Sequence, residues 1–239
     1  MADTLPSHIP TEVYLSFLGR TIEIHWSYHA ILMCSVWFVL APAGVIVIRY
    51  FKPRPRPMGI RKKISLANRE WWWFNVHQYV LYLAIVLSLG GVVVALTVSR
   101  GFSGSVHSVL GALTVFFGVL QILSAWMRGT HGGKYYYQAK PDRPETWGGD
   151  HYDMTPRRRR FEAYHKTAGY FAGLFAVGAA SSGLMQYPMP VLASAVLVAI
   201  MLVVVICVIL EYRGQRYDTY RAVFGNDSEH PHNLSRTDI

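Results

Sequence analysis

The chain has 239 residues, 52% of them hydrophobic and 15% charged, and its apolar residues are gathered in long runs rather than spread at amphipathic spacing. That pattern predicts an integral membrane protein and argues against a nucleic-acid partner despite the net charge of +9. Two cysteines, Cys34 and Cys207, both inside apolar runs, read as small buried hydrophobes rather than a disulfide framework or a thiolate metal site.

Residues 1–25 form a mixed, partly amphipathic lead expected at the outer interface. They lack the basic start and apolar core of a cleavable signal peptide, so the first span is expected to direct insertion. That span covers about 26–50, enough to cross a ~30 Å hydrocarbon core at about 1.5 Å per residue, and carries His29 near its start. A basic loop punctuated by Pro53, Pro55 and Pro57 cannot be helical and leads to Trp71, Trp72 and Trp73, read as an aromatic belt. The second span, about 73–98, carries His77 and a strip of small residues, Ala84, Ser88, Gly91 and Ala95.

After a tight turn over 99–105, the third span covers 106–127. There His107, Gly111, Thr114, Gly118 and Gln121 share one helical face, which must meet something other than lipid. A polar connection, 128–160, closes in Arg157, Arg158, Arg159 and Arg160. The fourth span, about 161–187, opens with His165 and continues through Gly169, Gly173 and Ala176. Pro188 and Pro190 turn the chain into a fifth span, about 191–212, which has no histidine, and a polar tail covers 213–239.

Basic residues fix the predicted orientation. The segments 49–72, 128–160 and 213–239 carry 8, 8 and 4 Lys/Arg and share one side, while the other side has Arg20 and Arg100 alone. The N-terminus is therefore expected outside and the C-terminus in the cytoplasm, an asymmetry that also accounts for most of the net charge. Polybasic inner loops attract anionic lipid headgroups as well.

With that topology, His29 and His107 lie just below the outer interface, and His77 and His165 lie at matching depth near the cytoplasmic face. Two opposed imidazoles in a slot lined by Gly, Ala and Ser fit a haem, which is flat and accepts histidine on both axial positions. Such a site has no open coordination position, which favours electron transfer. Zinc is the rival, although a closed zinc site wants four ligands and each layer offers two.

The segments His29-Ala-Ile-Leu-Met33 with Ile48-Arg-Tyr-Phe-Lys52, Trp73-Phe-Asn-Val-His77, His107-Ser-Val-Leu-Gly111 with Leu120-Gln121, and Tyr164-His-Lys-Thr-Ala-Gly169 resemble the cytochrome b561 family, in particular its five-span form. The resemblance covers the first four spans. It implies an all-α membrane protein whose five transmembrane helices form a domain over 26–212, in which a core bundle of the first four helices binds two b-type haems. His29 and His107 would hold the outer one, and His77 and His165 the inner one. Family members that use ascorbate carry lysines and an arginine ahead of the inner histidines. Here Arg69 is the nearest base before His77, and Arg160 and Lys166 flank His165 as candidates for haem propionates or an anionic donor. Arg100, in the turn before His107, is a further candidate for an outer propionate or anionic substrate.

His25, one helical turn before His29, reads as a solvated interfacial residue. His131 and His151 read as loop residues, Tyr135, Tyr136 and Tyr137 as interfacial anchors, and His8, His230 and His232 carry no claim. The expected function is single-electron transfer across the membrane, from a cytoplasmic reductant to an outside acceptor such as a ferric complex or monodehydroascorbate. Its expected partners are a small-molecule donor and acceptor, membrane lipid, and a second copy of the chain or a redox partner subunit. The alternatives are a cytochrome subunit linking quinol to a partner dehydrogenase and, outside redox chemistry, a histidine-lined metal or proton transporter.

Overall fold

A computed structural model describes residues 10–56, 60, 69–128 and 156–225. His8, His131, His151, His230, His232, Lys140 and the tyrosine triplet at 135–137 lie outside the described residues. Among the described residues five helices are long and apolar enough to cross a membrane: Trp26–Tyr50, Arg69–Val98, Val106–Trp126, Arg157–Gln186 and Pro190–Tyr212. In lipid every backbone N–H and C=O must be satisfied within the segment, which is why these apolar runs are helices.

The first span is α1 (Trp26–Ser35) and α2 (Ala41–Tyr50), joined by a π-helical turn at Val36–Leu40. Pro42 lacks an N–H, and the ladder widens just before it, with the Ala41 N–H bonded to the Val36 carbonyl. A short 3-10 turn, Arg69–Trp71, leads into α3 (Trp72–Val98). That helix ends where Arg100 takes the left-handed conformation (φ 52°), its N–H reaching the Thr97 carbonyl at 3.4 Å and the Gly101 N–H the Leu96 carbonyl at 2.9 Å. Ser105 then caps α4 (Val106–Trp126) by accepting from the Ser108 N–H at 3.2 Å, which fixes the helix start one residue before His107.

The fourth span begins earlier than its apolar pattern suggests. Pro156 opens α5 (Pro156–Gln186), and Arg157–Arg160, read from sequence as the end of a loop, form its first turn. Proline suits the first helical position, and Arg158 pairs with Glu162 at 3.1 Å one turn on. The fifth span, α6 (Pro190–Tyr212), has none of its most apolar stretch buried. Its C-terminal end is tied to α2, with Arg49 Nη2 2.6 Å from Glu211 Oε1 and the Tyr50 hydroxyl 3.1 Å from the same oxygen.

Three elements were not visible in the sequence. In the N-terminal lead, β1 (Glu12–Leu15) pairs antiparallel with β2 (Arg20–Glu23), placing Glu12 opposite Glu23 and Val13 opposite Ile22. Gly19, at φ 60°, supplies the left-handed residue of the turn. Trp26 Nε1 donates to the Pro10 carbonyl at 2.6 Å, tying the hairpin to the start of α1. In the C-terminal segment, α7 (Thr219–Phe224) is capped by Asp218, whose side chain accepts from the Arg221 N–H.

Two compact units make up the described chain. One comprises residues up to Pro42 with Val80–Ile122 and Thr167–Val203, the other Ala43–Tyr79, Leu123–Lys166 and the segment from Val204. In the first, Trp37 Nε1 donates to Ser88 Oγ at 3.1 Å, and Phe117 lies 6.1 and 5.5 Å from Phe171 and Phe175. In the second, Ile60, Trp71 and Trp73 form a core covered by Val47, Ile48, Phe74 and Val223. The tryptophan triplet is therefore only partly a belt. Trp71 and Trp73 stack at 5.8 Å and are buried, while Trp72 alone is exposed.

Lys52 joins α7 to the end of the first span, its Nζ 3.2 Å from Thr219 Oγ1. Burial, reinforced by the positive charges of Lys166, Arg49 and Arg216 and opposed by Asp218, pushes its amine down from the ordinary 10.5 to about 8. The shift means that docking of this segment strengthens as pH rises from about 8 toward 10.5, and loses that contribution below 8. Amine labelling followed residue by residue should show Lys52 titrating near pH 8. A midpoint at its ordinary value would contradict the burial.

Candidate functional site

Each unit brings two of the predicted histidines together. In the first, α1 supplies His29 and α4 supplies His107, with ring centroids 6.3 Å apart and planes at 80°. In the second, α3 supplies His77 and α5 supplies His165, at 6.5 Å and 70°. The pairing is the one expected from depth along the spans.

One ring of each pair is clamped by main chain. His107 Nδ1 lies 2.9 Å from the Ala179 carbonyl, and His77 Nδ1 lies 3.1 Å from the Gly44 carbonyl. A carbonyl only accepts, so Nδ1 is assigned the proton in both rings and Nε2 keeps a free lone pair. This is the arrangement that prepares an imidazole as a metal ligand. Nδ1 of His29 and of His165 is buried and makes no hydrogen bond of good geometry among the described residues.

The ring spacing tests whether a metal ion fits. An imidazole nitrogen lies about 1.15 Å from its ring centre when ring bonds are near 1.33 Å, and a metal–imidazole bond is about 2.0–2.1 Å. Two imidazoles on opposite sides of one ion therefore place their centroids about 6.3 Å apart. The observed 6.3 and 6.5 Å match that distance. Among the described residues no group of three or more His, Cys, Asp or Glu is close enough to share a metal, so each pair offers two ligands from the protein. Two opposed imidazoles are the axial set of a haem, and fall short of a closed zinc site.

The glycines divide into two kinds. A Cβ built at Gly111 or Gly173 meets nothing within 4 Å, and at Gly169 only Gln121 Oε1 at 3.8 Å, so all three border open space. By contrast, a Cβ at Gly118 would collide with Ile85, at Gly91 it would sit 2.8 Å from Met33 Sδ, and at Gly178 2.9 Å from Leu110 Cδ1. The Ala84, Ser88 and Gly91 strip is accordingly a packing seam against α1 rather than a slot lining, with Ser88 fully buried and bonded to Trp37. Gly183, which the sequence did not flag, is the closest of these approaches to a candidate ligand. A Cβ there would stand 2.8 Å from His107 Nδ1 and 2.9 Å from Cε1.

Arg69, Arg100, Arg160 and Lys166 are all exposed. Lys166 and Arg158 are the positive charges that act on His165. Arg158, not Arg160, is aligned with the His77–His165 pair: it pairs with Glu162, lies 5.2 Å above the Phe161 ring, and Phe161 lies 5.0 Å from the His165 ring. Helical phase explains this, because Arg158 precedes His165 by two turns on one face whereas Arg160 points elsewhere. The spacing becomes readable once Pro156 is taken as the helix start. His25 is exposed, its ring 5.5 Å from Tyr28.

Over 102 residues, 42% of this chain, the sequence is 31% identical to human (Homo sapiens) ferric-chelate reductase 1, and the matched stretch spans 16% of that protein. No family model matches the chain. No solved structure matches it.

Proposed function

We propose that the chain is a di-haem b-type cytochrome of the b561 kind, a membrane oxidoreductase that carries single electrons from a cytoplasmic reductant to an extracytoplasmic acceptor. The observation that carries this reading is the two histidine pairs, with ring centres 6.3 and 6.5 Å apart, each at the spacing of two imidazoles on one ion. His29 and His107 would hold the outer haem, His77 and His165 the inner. Bound there, a haem supplies one-electron chemistry with both axial positions filled.

The chain's own residues orient and enclose. The Ala179 and Gly44 carbonyls hold His107 and His77 in the tautomer that presents Nε2. Gly111, Gly169 and Gly173 leave room for a flat group. Arg158 and Lys166 place positive charge beside the inner pair, suited to propionates or to an anionic reductant. The distribution of 8, 8 and 4 basic residues over 49–72, 128–160 and 213–239 supports a cytoplasmic side for these segments. Similarity to a ferric-chelate reductase favours a ferric complex as the outer acceptor.

Proteoliposomes loaded with ascorbate or a dithiol reductant and exposed to an impermeant ferric chelate test this. The expected result is ferric reduction outside that requires the protein and falls to the protein-free rate when haem is absent. Reduction that needs the donor and the chelate on the same side would overturn the proposal.

A further inference from the structure

Among the described residues six hold a positive φ, and five of them are glycines; the sixth is Arg100, at 52°. One helix-ending turn occurs twice in this chain. At the end of α6 the Gly214 N–H reaches the Glu211 carbonyl and the Gln215 N–H the Leu210 carbonyl; at the end of α3 the Arg100 N–H reaches Thr97 and the Gly101 N–H Leu96, in the same three- and five-residue steps. Glycine closes the first turn at φ 64° and arginine the second. A Cβ is strained in that conformation, and such strain persists where the side chain serves something other than the turn. We infer that Arg100 selects the electron acceptor at the outer histidine pair, favouring anionic ferric chelates over cationic complexes. The inference rests on the electron route proposed above.

Position supports it. The loop 99–105 joins the two helices that meet at the His29–His107 pair: a Cβ on Gly91, two turns before the end of α3, would lie 3.7 Å from His29 Nδ1, and α4 carries His107 in its first turn. Both ends of the loop are fixed, one by the bonds to Thr97 and Leu96, the other by Ser105, which caps α4 and whose Oγ lies 3.1 Å from Ser103 Oγ. The Arg100 backbone is thus held at the rim of the pair, while its side chain is exposed and makes no ion pair among the described residues. The loop itself has no acidic residue. A cation suits a helix C-terminus, but one or two residues earlier it would do so in ordinary helical backbone. A rim charge acts on encounter: it concentrates anions, repels cations and is screened by salt. The step itself adds one electron to the acceptor, Fe(III) to Fe(II), supplied by the cytoplasmic reductant, with no bond made or broken.

The test uses the full chain in proteoliposomes loaded with ascorbate, with ferric-EDTA or ferricyanide, both anions, or hexaammineruthenium(III), a cation, outside. At low salt Arg100→Gly should lower kcat/KM for the two anions roughly five-fold and leave that for the cation equal or higher, while Arg100→Lys stays near the parent. The difference should collapse in about 0.5 M salt. Arg100→Gly should also keep the parent's haem content and unfold at or above the parent's midpoint, because glycine relieves the turn. A lower midpoint would mean that the arginine serves the turn, and lost haem would mean that it holds the cofactor; either overturns the inference. So does an unchanged rate with the anions, or an equal loss with anions and cation, and both leave the electron route standing. A parent that reduces none of the three acceptors overturns the route and the inference together.

Discussion

Replacing either histidine of a pair by alanine should remove one haem and spare the other, so that the four variants fall into two phenotypes. His29→Ala and His107→Ala should each retain the inner haem, reducible from the cytoplasmic side, and lose the outer. His77→Ala and His165→Ala should each retain an outer haem that cytoplasmic reductant no longer reaches. The grouping follows from the contacts: His29 faces His107 and His77 faces His165, although the members of each pair are far apart in sequence. Within a pair the variants need not be equally severe. His107 and His77 are held by backbone carbonyls, and losing a clamped ligand leaves only the partner whose Nδ1 makes no good hydrogen bond. Haem content and reduced-minus-oxidised spectra of the four variants decide it. Pairing of His29→Ala with His77→Ala by phenotype would contradict the arrangement.

Two glycines on either side of His107 should respond to leucine for opposite reasons. Gly183→Leu puts a Cβ 2.8 Å from His107 Nδ1, and an imidazole is not the free end of a flexible side chain, so α4 and α5 must separate or the ring must leave the Ala179 carbonyl. Overpacking of this sort costs about 1–3 kcal/mol, so both the haem-free fold and the outer haem should suffer. At Gly111 a Cβ meets nothing within 4 Å, so Gly111→Leu should leave the haem-free unfolding midpoint near the parent's. If that space is the slot of a flat ligand, outer-haem occupancy should nevertheless fall well below that of Ala199→Leu in α6. Parent-level haem content in Gly111→Leu would mean that the space faces lipid instead.

The spans and the histidine pairs were legible because two strict rules apply in a bilayer: apolar runs must satisfy their backbone internally, and buried ionisable groups must meet partners. What the sequence hid were matters of neighbourhood. The hairpin consists of two four-residue strands with Glu12 opposite Glu23, too short and too polar to announce itself. Tryptophan serves interfaces and cores alike, so only the fold separates exposed Trp72 from buried Trp71 and Trp73. Small residues beneath a histidine look the same whether they border open space or a neighbouring helix, as Gly111 and Gly91 show. Arg158 does not stand out when the fourth span is started at its first apolar residue, because Arg157–Arg160 then read as loop; with Pro156 as the start it lies two turns before His165.

The central claim is that each histidine pair holds one haem, and it is tested most directly by the haem content of the purified chain. Pyridine haemochrome absorbance set against protein from amino-acid analysis should give two b-type haems per chain, with the reduced-minus-oxidised spectrum of six-coordinate low-spin iron. A preparation that folds, carries its five helices and binds no haem would contradict the account, and would leave the paired histidines to a transporter.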